Sequence, residues 1–486
     1  MQLRVKKIKL ASGGPLIVIV NEDDARKLDL HALDRIKIKN KKEVIAAANI
    51  AEGNKTIKEG EIGIFEEVLE SLKLDDNELV EVNLASKPES IAYIKEKLDG
   101  MHLSQEKIKK IVEDIVKNNL SQIELTYFVA GCYSHGLDLD ETAALTKAIG
   151  ESGSRLRLGK KIIVDKHCIG GVANNRTSMI IVPIIAAAGL TIPKTSSRAI
   201  TSAAGTADAM ECLAEVSLPI NKIEKTVKKT NGCIIWGGTM DLASADDKLI
   251  KVEYPLSLDP RGILLASVLS KNVAVGSTHI LIDIPIGRGA KIEDRKEAVK
   301  LKRDFITLGK RLGIKVKAII TDGSQPIGNG VGPVLEAMDV MQILRREGGR
   351  PEDLERKAVN MANIILKMAG SNKDAIDILD SGLAYKKMLE IIKMQGRKKK
   401  LELAEHCCQI RSKKNGKIMA INNKMIARIA RIAGCPKDKK AGMYLNVHKD
   451  DRVRKNDLLY IIYAENEKKL KDAIEESNRI EAIKLG

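Results

Sequence analysis

The segments KHCIGGVANN (residues 166–175) and KTSSRAITSAAGTAD (residues 194–208) are the most informative part of this sequence. The first follows an apolar run at residues 162–164 and precedes a long apolar segment at residues 179–190. This pattern predicts a turn between a strand and a buried helix. Together the two segments supply cationic residues, small hydroxyl side chains and glycines whose backbone N–H groups are uncrowded. Because backbone amides and a helix N-terminus favour an anion, we expect a phosphate site here.

The residues of the two segments also have plainer interpretations. Gly170, Gly171 and Gly205 could serve tight turns between buried elements without any ligand. His167 fits either a structural role or a contact to phosphate or ribose. Cys168 has no accompanying base in the sequence, so we expect it to form part of a wall and not to act as a nucleophile.

Outward from these segments, strand-like and helical patterns alternate. Apolar strand candidates occur at residues 279–284 and 316–320, each with a glycine turn after it. The alternation predicts a doubly wound α/β domain over residues 151–405. The glycine-rich stretch GNGVG at residues 328–332 lacks the spacing of a dinucleotide fingerprint, so we expect it to be a turn.

An all-α domain is predicted over residues 86–150, where the apolar residues recur with helical periodicity. Ser86 with Glu89 and Ser121 with Glu124 have the spacing of a capping box. These two pairs predict helix starts.

The two ends of the chain predict smaller domains. Residues 1–85 contain short alternating runs separated by glycine and charged turns, which is typical of a small β-rich domain. Residues 406–486 contain short strands, tight turns and a terminal helical stretch, which predict an α+β domain. The expected fold is therefore multidomain α/β: an all-α domain plus a doubly wound α/β domain, with these two smaller domains at the ends.

Composition limits the classes of partner. The 486-residue chain carries a formal net charge of +17, and its aromatic content is 2%. A stacking platform for single-stranded nucleic acid needs ring faces under the bases, and no nucleic-acid-binding signature accompanies the charge. We therefore expect no nucleic-acid partner. The charge fits an ordinary basic surface or, as the main alternative, a positive field that also attracts anionic substrates.

The cysteines and the N-terminus bear on location. The seven cysteines are scattered without a CxxC pair, which favours a reducing compartment. No signal peptide or membrane-spanning segment is evident. We expect a cytoplasmic protein that does not enter a membrane.

The region around residue 260 holds further polar candidates. Asp246 and Asp247 could hold magnesium for a pyrophosphate substrate, or form a solvated turn. Asp259 precedes a proline, so a helix-capping role remains open beside a catalytic one. Ser267 and Lys271 would share one face of the helix that follows.

Five motifs now carry a resemblance to a known family. VDKHCIGGVANN, SSRAITSAAGTADAME, GGTMDLASADDKL, ASVLSKN and TDGSQPIGNGVGPVLE occur in the order and spacing of the thymidine and pyrimidine-nucleoside phosphorylase family. Within it, the chain looks most like the archaeal AMP phosphorylase branch, whose extra N-terminal domain residues 1–85 resemble. The resemblance implies that residues 244–274 complete the α-domain over 86–150, and that a cleft separates this domain from the α/β domain.

The resemblance also implies roles for individual residues. It places inorganic phosphate at Lys166, Ser196 and Thr206, the base at Ser267 and Lys271, and the proton donor at Asp259. A second phosphate, on the nucleotide, would need donors of its own, for which Arg198, Thr201, Ser202 and Lys291 are candidates. The full set of candidate substrate-binding residues is Lys166, His167, Gly170, Gly171, Ser196, Ser197, Arg198, Ala199, Ile200, Thr201, Ser202, Thr206, Ser267, Lys271 and Lys291.

Two departures from the pyrimidine enzymes bear on the substrate. Cys168 replaces the serine of their KHS turn, so one hydroxyl at the phosphate is missing. Val252 replaces their base-reading arginine, which removes a fixed donor for a pyrimidine carbonyl. The first change requires the Gly170 and Gly171 amides or neighbouring hydroxyls to compensate at the phosphate, and the second weakens the thymidine or uridine interpretation.

The expected activity is phosphorolysis of nucleoside 5'-monophosphates: AMP and phosphate give adenine and ribose 1,5-bisphosphate, with CMP and UMP as further candidate substrates. Phosphate is a co-substrate, and no cofactor or metal is expected. The family implies a homo-oligomer, at least a dimer. The alternatives are pyrimidine-nucleoside phosphorolysis, a magnesium-dependent phosphoribosyltransferase of the same fold, and nucleic-acid binding.

Overall fold

The structure, a computed structural model, describes residues 1–199, 202–240, 244–256, 258–396 and 401–486. The chain divides into two compact units. The first contains Met1–Ser152 and Ser244–Ser267, and the second contains Gly153–Ala243 and Val268–Gly486.

The N-terminal part of the first unit is a closed barrel in the strand order β1-β5-β2-β4-β3-β6. Alternate side chains point inward, as a strand period of two requires: Ile36, Ile38, Val80 and Val82 are buried. The elements are β1 (Gln2–Lys7), β2 (Ile17–Asn21), α1 (Glu22–Lys27), β3 (Arg35–Lys39), β4 (Glu43–Ala51), β5 (Glu61–Ile64), α2 (Glu66–Leu72) and β6 (Leu79–Leu84).

Helices follow the barrel: α3 (Ser90–Leu98), α4 (Gln105–Val116), α5 (Gln122–His135) and α6 (Leu139–Ser152). The capping box at α5 is present, because Ser121 accepts from the backbone of Glu124 and the Glu124 carboxylate accepts from the backbone of Ser121. The capping box predicted at Ser86 is wrong. Helix α3 begins at Ser90, with Glu89 at its N-cap position and no side-chain cap, because the chain remains irregular past Pro88.

The middle of the chain alternates strands with helices. Its elements are β7 (Val164–Cys168), α7 (Thr177–Ala187), β8 (Ile192–Ser196), α8 (Thr206–Glu211), α9 (Ile220–Thr230), β9 (Gly232–Trp236), α10 (Ser244–Leu256), α11 (Arg261–Ala274), β10 (His279–Ile286), α12 (Arg295–Arg311), β11 (Lys315–Asp322), β12 (Gly330–Val331), α13 (Pro333–Leu344), α14 (Glu352–Met368), α15 (Ala375–Asp380) and α16 (Leu383–Gln395).

Parallel strands form the centre of the second unit. Strands β11, β10 and β7 form one sheet, in that order, and β8 and β9 form another. A parallel bridge between Ile163, just before β7, and Thr191, just before β8, links the two sheets. Helix α7 is buried nearly all round, which explains why its sequence is apolar without an amphipathic period. The α/β architecture agrees with the expected fold class.

The position of β7 corrects the sequence analysis. The strand runs from Val164 to Cys168 and not over residues 162–164, so Lys166 and His167 lie in the strand and the glycine turn begins after it. Apolarity alone misplaced the strand, because its buried charges are compensated: Asp165 pairs with Lys194 from the neighbouring strand.

The C-terminal part is α+β. It contains β13 (His406–Arg411), β14 (Gly416–Ile421), α17 (Asn423–Ala433), β15 (Gly442–Leu445), β16 (Arg452–Val453), β17 (Leu458–Ala464), α18 (Glu467–Arg479) and β18 (Ile483–Leu485). Strand β12 from the middle of the chain pairs with β15, so it extends the sheet β12-β15-β17-β13. In the parts of the chain that the structure describes, none of the helices is both long and apolar enough to cross a membrane.

Candidate phosphate and nucleotide site

Strand β7 sends polar side chains alternately to two faces of the sheet. On one face, Lys166 donates to the Thr177 hydroxyl at 2.8 Å, and its Nζ lies 3.8 Å from the Asp283 carboxylate. On the other face, Asp165 accepts from Lys194 at 3.1 and 3.2 Å. The period of two therefore gives each face its own buried cation and carboxylate.

Asp283 is the centre of the cluster on the Lys166 face. Its carboxylate accepts from the Thr321 hydroxyl at 2.6 Å and from the Asn175 amide at 3.2 Å, and the Lys357 ammonium lies 3.3 Å away. Burial alone would raise the pKa of Asp283, but the charges of Lys166 and Lys357 outweigh burial and hold that pKa below its usual value. Asp283 is therefore ionised at neutral pH.

Desolvation shifts the groups around β7 towards their neutral forms. Burial lowers the pKa of Lys166 from its usual value, although the Asp283 carboxylate opposes this change. Burial, followed by the charges of Lys194 and Lys271, lowers the pKa of His167 well below its usual value. His167 is therefore neutral at physiological pH and has one ring N–H donor and one ring acceptor.

Another backbone segment closely approaches one glycine of the turn after β7. Gly170 and Gly171 adopt φ values of +95° and +91°. A Cβ on Gly171 would lie 2.3 Å from the backbone nitrogen of Lys291, whereas a Cβ on Gly170 would meet nothing within 4 Å. Gly171 therefore lets the Lys291 segment approach the turn, and the side chain of Lys291 is exposed.

Cys168 takes part in the turn as a hydrogen-bond acceptor. Its Sγ accepts from the backbone of Gly170 at 3.4 Å and from the Asn175 amide at 3.2 Å. Burial raises the pKa of the Cys168 thiol, so the thiolate is disfavoured. Both observations agree with a wall residue.

The second segment is held in place by carboxylates. Asp208 accepts from the backbone of Ala199 at 2.7 Å and of Gly205 at 2.8 Å. Arg198 donates to Glu211 with both terminal nitrogens at 2.8 Å and to Asp208 at 3.1 Å, and it stacks 4.7 Å from the Trp236 ring. The guanidinium of Arg198 is thus engaged by two carboxylates of α8.

Two predicted serines of this segment donate hydrogen bonds to backbone carbonyls. The Ser196 hydroxyl donates to the Ile235 carbonyl at 3.3 Å, and the Ser202 hydroxyl donates to the Ala204 carbonyl at 3.0 Å. Ser197 is exposed. Ile200 and Thr201 lie outside the described residues.

Arg176, which the sequence analysis missed, joins the two segments. From the end of the first segment it donates to the Thr206 hydroxyl at 2.9 Å, to the Ala204 carbonyl and to the Glu336 carboxylate. Burial raises the pKa of Glu336 to about 7, although Arg176 opposes this shift. In the sequence, Arg176 is visible only as an arginine immediately after the turn. Its partner Glu336 lies 160 residues further along the chain, so the pair could not be predicted.

The GNGVG stretch anchors the first segment, and it is not a turn throughout, because Gly330 and Val331 form strand β12. The buried Asp339 carboxylate accepts from the backbones of Asn329 and Gly330, each at 2.8 Å, and from the Asn174 amide at 2.6 Å. Burial raises the pKa of Asp339 to about 6. This network ties the glycine turn to α13.

Helix α11 carries the residues predicted at the base. The helix begins at Arg261 and the Leu264 amide donates to the Pro260 carbonyl, so Asp259 lies two residues before the first helical residue; the side chain of Asp259 is exposed. Ser267 and Lys271 lie one turn apart on this helix, as predicted. Ser267 belongs to the first unit and Lys271 to the second.

The acidic pair on α10 does not converge. Asp246 is buried and Asp247 is exposed, because consecutive helix positions point to different faces. Over the described ranges, no three His, Cys, Asp or Glu side chains group in a way that could hold a metal ion. Lys248 caps α4 by donating to the carbonyls of Ile115 and Val116 at 2.8 and 2.9 Å.

Family models match three parts of the chain. The helical bundle domain of the glycosyl transferase family matches residues 91–153, and the a/b domain of that family matches residues 160–385. The pyrimidine nucleoside phosphorylase C-terminal domain matches residues 417–484. In overall fold the chain is similar to anthranilate phosphoribosyltransferase from Thermus thermophilus, with a TM-score of 0.53, 17% identity, and coverage of 62% of this chain and 98% of that one.

Curated relatives match over the whole length. The chain is 45% identical to the AMP phosphorylase of Pyrococcus furiosus and 44% identical to that of Thermococcus kodakarensis, in both cases over 100% of this chain and 98% of the relative. It is 42% identical to the AMP phosphorylase of Methanococcus aeolicus over 96% of this chain and 94% of the relative. Because identity at this level extends over nearly the full length of both chains, the protein belongs to the pyrimidine-nucleoside phosphorylase family of glycosyl transferases, together with these archaeal AMP phosphorylases.

Proposed function

We propose that this protein catalyses the phosphorolysis of AMP to adenine and ribose 1,5-bisphosphate, with CMP and UMP as further substrates. The observation that carries the proposal is the buried cationic cluster around Lys166, beside a glycine turn, in a chain whose full-length relatives are AMP phosphorylases. A buried cation beside the backbone amides of a glycine turn favours an anion that has lost its water.

The reaction joins phosphate to C1 of the ribose and breaks the C1–N bond to the base. A phosphate oxygen supplies the electrons of the new C–O bond, while the electrons of the C–N bond leave with the base, which takes up a proton. Lys166, Ser196, Thr206 and the amides of Gly170 and Gly171 would hold the phosphate in line with C1. Positioning of this kind supplies much of the rate enhancement when the groups are preorganised.

Stabilisation of the departing base falls to α11 and the segment before it. We assign the proton to Asp259, and hydrogen bonds to the base to Ser267 and Lys271. The neutral imidazole of His167, next to Lys271, can donate one hydrogen bond to a ribose hydroxyl or to phosphate. Asp259 is exposed in the described structure, and we propose that substrate binding removes water from this carboxyl.

The 5'-phosphate of the nucleotide needs donors besides Arg198. Because Arg198 is engaged by Glu211 and Asp208, we assign it to holding the second loop in shape. Lys291, which is exposed beside the Gly171 turn, and Ser202 remain the described candidates for the 5'-phosphate.

The direct test is product analysis with purified protein, AMP and inorganic phosphate. Adenine and ribose 1,5-bisphosphate should appear in equal amounts, and omission of phosphate should abolish both. Release of adenine without phosphate would contradict phosphorolysis. The absence of a metal requirement is tested by adding EDTA: unchanged turnover supports the proposal, whereas lost turnover restored by Mg²⁺ would favour phosphoribosyltransferase chemistry.

Assembly and location complete the proposal. We propose a homo-oligomer, at least a dimer, in the cytoplasm, on the basis of the family to which the chain belongs. Light scattering after size-exclusion chromatography tests the first statement, and a monomer at assay concentration would contradict it. Cell fractionation tests the second.

A further inference from the structure

A buried lysine outside the sequence motifs lies beside the phosphate turn. Lys357 extends from α14, its side chain is 10% exposed, and its Nζ lies 3.3 Å from Asp283. Among the residues that the structure describes, this ammonium is buried and has no partner that meets hydrogen-bond geometry. An ammonium group carries three donors, so its burial with one ion-pair contact is costly and needs an explanation.

The charges of this cluster do not balance. Lys166 and Lys357 approach the same oxygen of Asp283, at 3.8 and 3.3 Å, while Asn175 and Thr321 contribute neutral contacts. Two ammonium groups against one carboxylate leave a surplus of about one positive charge in a buried environment, where charge interactions are strong. An anion bound at the turn would neutralise this surplus.

The closer cation to Asp283 is Lys357 and not Lys166. If Lys357 were absent, Asp283 would have Lys166 as its sole cationic partner in the cluster, and the pair would be electrically neutral. Asp283 would then neutralise the charge of Lys166, so Lys166 would attract phosphate much less.

We propose that Lys357 is a positioning residue of the phosphate site around Lys166. By pairing with Asp283, Lys357 leaves the charge of Lys166 available to inorganic phosphate. The role of phosphate as co-substrate rests on the proposed function. The pair Lys357 and Asp283 then sets the net charge of the phosphate site.

The test varies the charge of the cluster while preserving its shape. Lys357→Met should raise the KM for phosphate at least tenfold and change the KM for AMP less than twofold. The double variant Lys357→Met with Asp283→Asn restores the surplus charge, so its phosphate KM should fall back towards the wild-type value. Lys357→Arg keeps the charge and should stay within about threefold of wild type. Lys367→Met, which removes an exposed lysine from the same helix, is the matched control and should leave both constants unchanged.

A second readout does not depend on turnover. Inorganic phosphate alone should raise the melting temperature of the wild type, of the double variant and of Lys367→Met, and should raise that of Lys357→Met much less. An unchanged phosphate KM in Lys357→Met would overturn the inference, and so would a double variant that is as impaired as the single one. If the wild type binds phosphate but releases no adenine, the proposed function fails while the charge pattern still tests the role of Lys357.

Discussion

Gly170 and Gly171 form a natural matched pair for testing the glycine turn. Both have positive φ values, +95° and +91°, but only at Gly171 would a Cβ meet backbone, the nitrogen of Lys291 at 2.3 Å. Alanine at either position therefore introduces the same backbone strain, and at Gly171 alone it also forces the Lys291 segment to move. We predict that Gly171→Ala is clearly more damaging than Gly170→Ala.

The expected losses of stability follow from the backbone strain and from the steric overlap with the Lys291 segment. A residue with a Cβ at positive φ costs about 1–2 kcal/mol, which is the whole expected cost for Gly170→Ala. Overpacking against backbone adds about 1–3 kcal/mol, so Gly171→Ala should cost about 2–5 kcal/mol. In a unit of this size each kcal/mol lowers the melting temperature by roughly 2 °C.

Differential scanning calorimetry at fixed phosphate concentration measures both variants against the wild type. The kinetic companion is the KM for phosphate, which should rise in Gly171→Ala because the turn and the Lys291 segment must separate. Equal melting temperatures for the two variants would refute the close approach at Gly171.

Three further predictions concern the network around the turn. Because burial raises the pKa of Glu336 to about 7 from an ordinary value near 4.5, the folded protein retains a proton that the unfolded chain loses; stability from this group should fall by about 3 kcal/mol as pH rises from 4.5 to 7, and Glu336→Gln should flatten that fall in calorimetric melting curves. Arg176→Met removes the link to Thr206 and the cation that opposes the raised pKa of Glu336; it should cost about 3–5 kcal/mol at pH 8, where the wild-type ion pair is lost and the buried carboxyl is driven to keep a proton, and less at pH 6; an equal cost at both values would contradict this reasoning. Lys291→Ala should raise the KM for AMP about tenfold and leave the KM for phosphate within twofold, and steady-state kinetics showing the reverse pattern would move Lys291 to the other phosphate.

The sequence predicted those features that depend on local pattern. The glycine turn, the buried helix after it and the capping box at Ser121 all follow from side chains close in the chain, and all are present. The start of β7 was misplaced because Asp165 and Lys166 look like turn residues until their distant partners are known.

The features that the sequence could not provide are long-range pairings. Arg176, for example, pairs with Glu336, which lies 160 residues further along the chain. Asp283 gave a weak signal as a charge within an apolar strand, and Lys357 gave none, because a lysine on a polar helix has the appearance of a surface residue. A buried charge can be interpreted only when the groups that surround it are known.

The most direct test of the account compares AMP with adenosine as substrates of the purified protein in phosphate buffer without added metal. We predict phosphate-dependent release of adenine from AMP and none from adenosine, because the second phosphate supplies binding energy that positions C1 at the phosphate site. Release of base from adenosine or uridine, with none from AMP or UMP, would contradict it and would identify the site as that of an ordinary nucleoside phosphorylase.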